Sequence, residues 1–446
     1  MTPATGTGSA GSAAAGSSAA GTGPAASTGT AVGGNGSAQR ATSTVRPTGQ
    51  VEVGFFVVKD LGPATRALGV SGLSTGSGAN QVNASVALLN RGGGLNGRIV
   101  KPVIIEQDAT QNAQAQMQAG CSSFFDDHKV VAVVAWGLLP VLESCSNAHH
   151  VPYVTSGNRT TSSAEIGRYP YLAIPSQYDL RRVVATLIPS LSSQGYFRPR
   201  AATETMKVGL LYNGDPDFSS VPSLVKSELA RLGVALTDQQ SMPGVDDTSQ
   251  VTAASNAGSS AVLRFRGEGI THVVAVDKSG QAIAYFALAA QNQQYYPQFG
   301  LSSLELPASL RTVLSAQQLQ GARGVGWLPS FDVPAAGQPA LSSNAKACVD
   351  AMSRAGEDMT LAATRGAALA TCDSTLLMGA AYRAQPLTAD GFVSGLRAVA
   401  AGYPPAVTFA DDFRSHRDGA AQVRPLAYQG GCDCFAYIGP AVPTAT

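Results

Sequence analysis

Charge is scarce in this sequence. Only 13% of its residues are Asp, Glu, Lys or Arg, against a usual share of about a quarter. The net charge is +1, with no basic stripe, so a nucleic-acid partner gets no electrostatic support. Long apolar runs are missing too, since none reaches the roughly 18 residues that a membrane span needs. The longest, over residues 130–142, is broken by Gly137 and Pro140 and reads as a buried strand running into a loop. None of the five histidines stands at ligand spacing from suitable partners, so neither zinc nor any other cofactor is expected.

Ala and Gly fill much of the remainder. Residues 1–49 are Ala, Gly, Ser and Thr with almost nothing to bury, a composition that cannot offset its ordering entropy and is expected to stay a flexible coil. A neutral tether of small residues ahead of a globular body suits an exported protein held away from a membrane or wall. The start shows no charged segment followed by an apolar centre, so either a leader and anchor are removed upstream or the segment is a plain disordered tail. The six cysteines fit an oxidising compartment. Fifteen pairings are open from sequence alone. Cys121 and Cys145 sit on helices separated by one strand. Cys348 and Cys372 fall on successive helices over 342–355 and 361–383, which can lie antiparallel. Cys432 and Cys434 are left for each other, with Cα atoms near the upper limit for a bridge if the segment is a strand.

The body alternates strand and helix. A strand over 51–58 precedes an amphipathic helix ending at Asn90. A glycine run and Leu95-Asn96-Gly97 then turn the chain into an apolar strand over 100–106, completing one βαβ unit. Strands over 130–135, 152–155 and 169–175 follow, with helices over 111–125, 141–148 and 180–194. After a charged spacer at 198–204 the pattern restarts. Strands are expected over 207–212, 235–239, 272–276 and 298–301, and helices over 222–232 (Gly233 as its C-cap), 251–265 and 280–291. Two α/β sets joined near residue 176 make a bilobed protein with a cleft.

Two enzyme-like motifs occur. Residues Gly92 to Gly97 spell GxGxxG, but a dinucleotide loop follows a strand and opens a helix, whereas this one does the reverse. Gly72-Leu73-Ser74-Thr75-Gly76 spells GxSxG, the nucleophile elbow of hydrolases, without the buried strand that an elbow needs before it.

The opening strand VEVGFFVV, the turn LNRGGGLNGR, the strand VKPVIIEQDAT, the pair Cys121/Cys145, the strand-loop VPYVTSGN and the restart KVGLLYNGDPDFS carry a resemblance over residues 50 to about 440. Together they resemble type I periplasmic binding proteins of the leucine/isoleucine/valine-binding family, the extracytoplasmic receptors of ABC importers. The resemblance implies an α/β fold of two doubly wound parallel-sheet lobes joined by a three-crossing hinge. Lobe one would combine 50–175 with 330–408, and lobe two 176–329 with 409–446, including the hairpin PLAYQGGCDCFAYIG. It also implies a monomer without catalytic activity, a small-molecule ligand and an ABC permease of the inner membrane as partner. Ligand contacts would come from Trp136 and Gly137, from Ser156, Gly157 and Asn158, and from Tyr178 and Asp179 at the hinge. Lobe two would add Phe218, Asp277, Lys278, Ser302 and Ser303.

Each of these has a structural alternative: core packing for Trp136, an ordinary turn for 156–158, a helix cap for Asp277. Trp136 and leucines stand where amino acid receptors have small hydroxyl residues, and Ser302-Ser303 where they have an acid, so aromatic, peptide-like and other polar organic ligands stay open. An envelope sensor with the same fold, signalling without transport, is the alternative; a GxSxG hydrolase is the remote one.

Overall fold

The computed structural model describes residues 49–67, 74–157, 159–399 and 402–445. The expected coil over 1–48, Asn158, and Gly72 and Leu73 of the GxSxG run lie outside the described residues.

Two sheets organise the molecule. In the first, β1 (Gln50–Val58), β2 (Ile99–Gln107), β3 (Val133–Trp136), β4 (Tyr153–Ser156) and β5 (Leu172–Ala173) are all parallel, in the order β2-β1-β3-β4-β5. Such strands are buried on both faces and read as continuous apolar runs. On one face Val53, Phe55 and Val57 of β1 pack with Val82, Val86 and Leu89 of helix Gly78–Arg91 and with Leu377 and Met378 of helix Ala362–Ala381. On the other, Phe56 meets Met117, Phe124 and Leu142.

The second sheet has five parallel strands, β6 (Val208–Asn213), β7 (Leu236–Met242), β8 (His272–Val276), β9 (Gln298–Ser302) and β10 (Arg323–Gly326). The hairpin β11 (Gln422–Gln429) and β12 (Cys434–Tyr437) adds antiparallel strands beside β10, giving the order β12-β11-β10-β9-β8-β6-β7, and β13 (Val442–Pro443) pairs with β11.

The glycine run after helix Gly78–Arg91 is a turn between that helix and β2. Gly93, Gly94, Asn96 and Gly97 all have positive φ. A Cβ on Gly94 would lie 1.9 Å from the Arg98 carbonyl oxygen. Asn90 clamps the turn, its amide accepting from Val100 N at 2.8 Å and donating to Val100 O at 2.9 Å. No helix begins there, so the GxGxxG spelling has no phosphate-binding geometry behind it.

The chain passes between the sheets three times: after β5, after β10, and between helix Ala389–Val399 and β11. The first and third passages run side by side. Ile174 N donates to Arg417 O at 2.7 Å, Gly419 N to Ile174 O at 2.9 Å, and Ala420 N to Gln177 O at 3.0 Å. The second is tied to the first by Trp327, whose indole N–H donates to Ser176 O at 3.1 Å. A buried ion pair, Arg182–Asp418 at 2.6 Å, anchors the third passage to helix Leu180–Ser193. The same guanidinium holds the tail, donating to Thr444 Oγ1 at 2.7 Å and Ala445 O at 2.9 Å.

Three disulfides form, Cys121–Cys145, Cys348–Cys372 and Cys432–Cys434, and the described residues contain no free cysteine. The third does not lie along one strand: Cys434 opens β12, while Cys432 sits in the turn before it. Asp433 takes a left-handed φ of 52°, and the resulting turn brings the two Cα atoms to 5.2 Å.

Element ends differ from expectation where caps or the hinge intervene. The helix expected over 111–125 is Ala113–Ser122, capped by Asn112, and runs into a π turn, Ser123–Asp127. The strand expected over 169–175 shrinks to Leu172–Ala173, because Ile174 onward belongs to the first passage.

Candidate functional site

In open α/β sheets, ligands bind beyond the carboxyl ends of the strands where the strand order reverses. The first sheet reverses between β1 and β3, since β2 lies on one side of β1 while β3, β4 and β5 continue on the other. Val58 and Trp136 end the two flanking strands. A cavity of about 10 Å³, room for one water, opens there between Val57, Val58, Thr75, Gln81, Trp136, Ala367 and Thr371. The second sheet reverses between β6 and β8. Asp215 follows β6, Lys278 follows β8, and their side chains pair at 2.7 Å across the reversal.

The two loops after β3 and β4 interlock. Gly137 has φ +86°, and a Cβ there would sit 2.6 Å from Arg159 Cδ; Gly157 has φ +96°, and a Cβ there would sit 3.4 Å from Trp136 Cε2. Gly137 thus leaves room for the Arg159 side chain, and Gly157 lies against the Trp136 indole. Arg159 reaches that lobe and pairs with Asp246 at 3.3 Å. Asp246 also approaches Lys278 at 3.5 Å, so Arg159, Asp246, Lys278 and Asp215 form one alternating chain of charge. Burial alone raises the Asp246 carboxyl, but the two cations hold it below its ordinary range. Its neighbours cross as well: Thr248 N donates to Ala109 O at 3.2 Å, and Ala113 N to Asp247 Oδ2 at 3.5 Å.

Behind the first-lobe loops lies Glu143, in the first turn of helix Pro140–Ala148. It is buried, and its Oε1 has no hydrogen-bond partner among the described residues. Burial, with the nearby Glu165 carboxylate, pushes it up to about 8.

The residues anticipated from the sequence separate into two groups. Trp136 lies against Gly157, Gly137 against Arg159, and Lys278 pairs with Asp215 and Asp246, while Ser156 ends β4. The remaining described ones are occupied by the fold. Tyr178 is fully buried, its ring 4.7 Å from that of Trp327. Asp179 caps helix Leu180–Ser193, accepting from Arg181 N at 2.9 Å and Arg182 N at 3.2 Å. Phe218 is buried in the core shared with Val221 and Val225. Asp277 accepts from Ala282 N at 2.7 Å and so caps helix Gln281–Asn292. Ser302 caps the turn Ser303–Glu305, donating to Glu305 at 2.8 Å. Ser303 Oγ accepts from Trp327 N at 2.7 Å and donates to Asp332 at 3.0 Å. Ser74 of the GxSxG run donates to Asp60 at 2.9 Å.

Sequence reading missed Arg159, Asp215, Asp246 and Glu143. A signal for the first was available: Arg159 is a cation in a charge-poor chain, immediately after the Ser-Gly-Asn loop that ends β4. Asp246 carries none, because its role comes from a loop reaching to the other lobe.

No curated protein matches the chain by sequence. Similar solved structures include a Rhodopseudomonas palustris ABC transporter solute-binding protein in complex with 4-hydroxybenzoate, 14% identical with a TM-score of 0.63, covering 89% of this chain and 98% of that one. A Thermus thermophilus branched-chain amino acid ABC transporter protein with bound valine is 13% identical with a TM-score of 0.61, over 90% and 98% of the two chains. A Desulfitobacterium hafniense ABC transporter substrate-binding protein in complex with leucine is 15% identical with a TM-score of 0.58, over 87% and 100%. The family model described as periplasmic binding protein matches residues 61–427. With two parallel α/β lobes and that match over most of its length, the chain belongs to the periplasmic binding protein family, in its type I form.

Proposed function

We propose that the chain is the extracytoplasmic substrate-binding component of an ABC importer, delivering a small polar organic solute to an inner-membrane permease. The observation that carries this reading is the pair of strand-order reversals meeting across one cleft, with Arg159 of the first lobe reaching Asp246 of the second. The three disulfides support an oxidising compartment. The two lobes so read divide at 175/176, 329/330 and 408/409.

The ligand set is Trp136, Gly137, Ser156, Gly157 and Asn158 with Lys278, extended by Arg159, Asp215 and Asp246. An aromatic wall beside a few fixed charges suits an amino acid, an amide, a small peptide or an aromatic acid. Tyr178, Asp179, Phe218, Asp277, Ser302 and Ser303 act beneath the site, holding the loops that present it. Binding replaces the water of the cleft with ligand and closes the lobes about the paired passages.

The test is mass spectrometry of whatever small molecule the purified protein releases on denaturation, followed by a thermal-shift screen of the four ligand classes. A bound polar metabolite that raises the melting temperature is the expected result. No stabilisation by any of them, together with ester turnover lost on Ser74→Ala, overturns the reading.

A further inference from the structure

The three disulfides are not equivalent. Cys348 and Cys372 are fully buried, and Cys121 and Cys145 pack against the first-lobe core. Cys432 is exposed, at the tip of the β11–β12 hairpin, with its Sγ lying 3.6 Å from Gln429 O and 3.8 Å from Cys434 O of its own turn. The loops closed also differ: the two helix-to-helix bridges span 24 residues of sequence each, the hairpin bridge 2. Loop-closure entropy rises with the length spanned, so the hairpin bridge is the one whose opening costs the fold least.

The hairpin tip is held by other means. Gln429 pairs with Cys434 and Tyr428 with Phe435 in the antiparallel ladder. Phe435 is buried, its ring 5.7 Å from that of Tyr428. Between the cysteines, the Asp433 carboxylate accepts from Arg311 Nε at 2.6 Å and from the Tyr428 hydroxyl. These contacts keep residues 432 and 434 adjacent whether or not their sulfurs are joined.

We propose that Cys432-Asp433-Cys434 is a thiol–disulfide exchange site, reversibly opened by a thiol reductant while the other two bridges stay closed. The reductant's thiolate attacks Cys432 Sγ, the exposed sulfur. The S–S bond breaks, its electron pair leaves on Cys434 Sγ, and that sulfur takes a proton. A second thiolate then attacks the reductant's sulfur in the mixed disulfide, releasing Cys432 as a thiol. The protein gains two electrons and two protons, and the reductant leaves as its disulfide. Exposed bridges are the labile ones in such exchange.

The oxidised full-length chain is incubated with graded reduced glutathione in one arm and a reduced Cys-x-x-Cys oxidoreductase in the other, then alkylated and mapped by peptide mass spectrometry. Labelling of Cys432 and Cys434 is expected at a reductant concentration at least tenfold below that which labels any other cysteine. The near-ultraviolet circular dichroism should stay unchanged, and the bridge should re-form once reductant is removed. The arm that opens the bridge faster at equal thiol concentration identifies the source as a small thiol or a protein dithiol. Opening of all three bridges together, prior labelling of Cys121 and Cys145, or loss of the dichroism signal on opening overturns the proposal. A Cys432→Ser/Cys434→Ser variant that keeps the wild-type melting curve supports it; one that fails to fold overturns it.

Discussion

Glu143 sets the fold and the solvent pH in tension. Its carboxyl is raised to about 8 by burial and by Glu165. Glu305, buried beside Asp277, is also raised to about 8, and Asp332 to about 7 by burial. A carboxyl whose folded value lies above its unfolded one stabilises the fold fully below the unfolded value and loses that contribution as pH rises through the folded value. All three work in the same direction, so the melting temperature should fall between pH 5 and pH 8. Glu143→Gln removes one of these protons from the balance and leaves the shape intact. It should flatten the pH slope and raise the melting temperature at pH 8 by about 3 °C, on the usual conversion of a kilocalorie to degrees. Melting curves at the two pH values check this; a variant that melts lower than wild type at pH 8 refutes it. Arg159 gives a second test at this scale, because its guanidinium pairs with a carboxylate of the far lobe. Arg159→Gln should weaken binding of whichever ligand the released-metabolite experiment identifies by about tenfold, the size expected for one charge-assisted hydrogen bond. Isothermal titration against wild type decides it.

Among the elements, the helix-to-β2 turn shows why some of this chain could be read in advance. Its glycines stand where positive φ is required, and Asn90 marks the end of an apolar-periodic helix, so a local pattern encodes a local structure. Gly94→Ala should cost at least 2 kcal/mol, since it adds a left-handed penalty of about 1–2 kcal/mol to a collision with the Arg98 carbonyl. A urea titration that leaves the midpoint unmoved would contradict that. Strand β8 was legible for a similar reason, being a short apolar run bounded by Thr271 and Asp277. Less could be read where an element answers to distant partners. The run 169–175 has strand composition, yet from Ile174 it bonds to residues 417 and 419, some 240 positions away, which periodicity cannot reveal. Asp179, Asp277 and Ser302 carry the residue types of both a ligand loop and a helix cap; only the bonds they make separate the two. The interlocked Trp136/Gly157 and Gly137/Arg159 pairs show the middle case, in which the glycines were visible and their purpose was not.

For the molecule as a whole, the contact between Arg159 and Asp246 ties the first lobe directly to the second. The Arg159 side chain is 14% exposed and that of Asp246 37%, so the pair is worth about 1 kcal/mol, which changes an open-to-closed ratio about fivefold. Ligand-free Asp246→Asn should therefore scatter X-rays as a more extended particle than wild type, and raising the salt concentration should move wild type towards the variant through screening. Identical scattering curves for the two proteins at low salt would remove this bridge from the account of closure.

The grip of Arg182 on Thr444 and Ala445 has a consequence for anyone labelling this protein. The guanidinium that holds Thr444 and Ala445 also holds Asp418 of the third passage, so bending at the passages tugs on residues 444 and 445. A dye placed at residue 445 should work as a strain gauge for lobe movement. A bulky C-terminal tag should stiffen or loosen the very motion being measured.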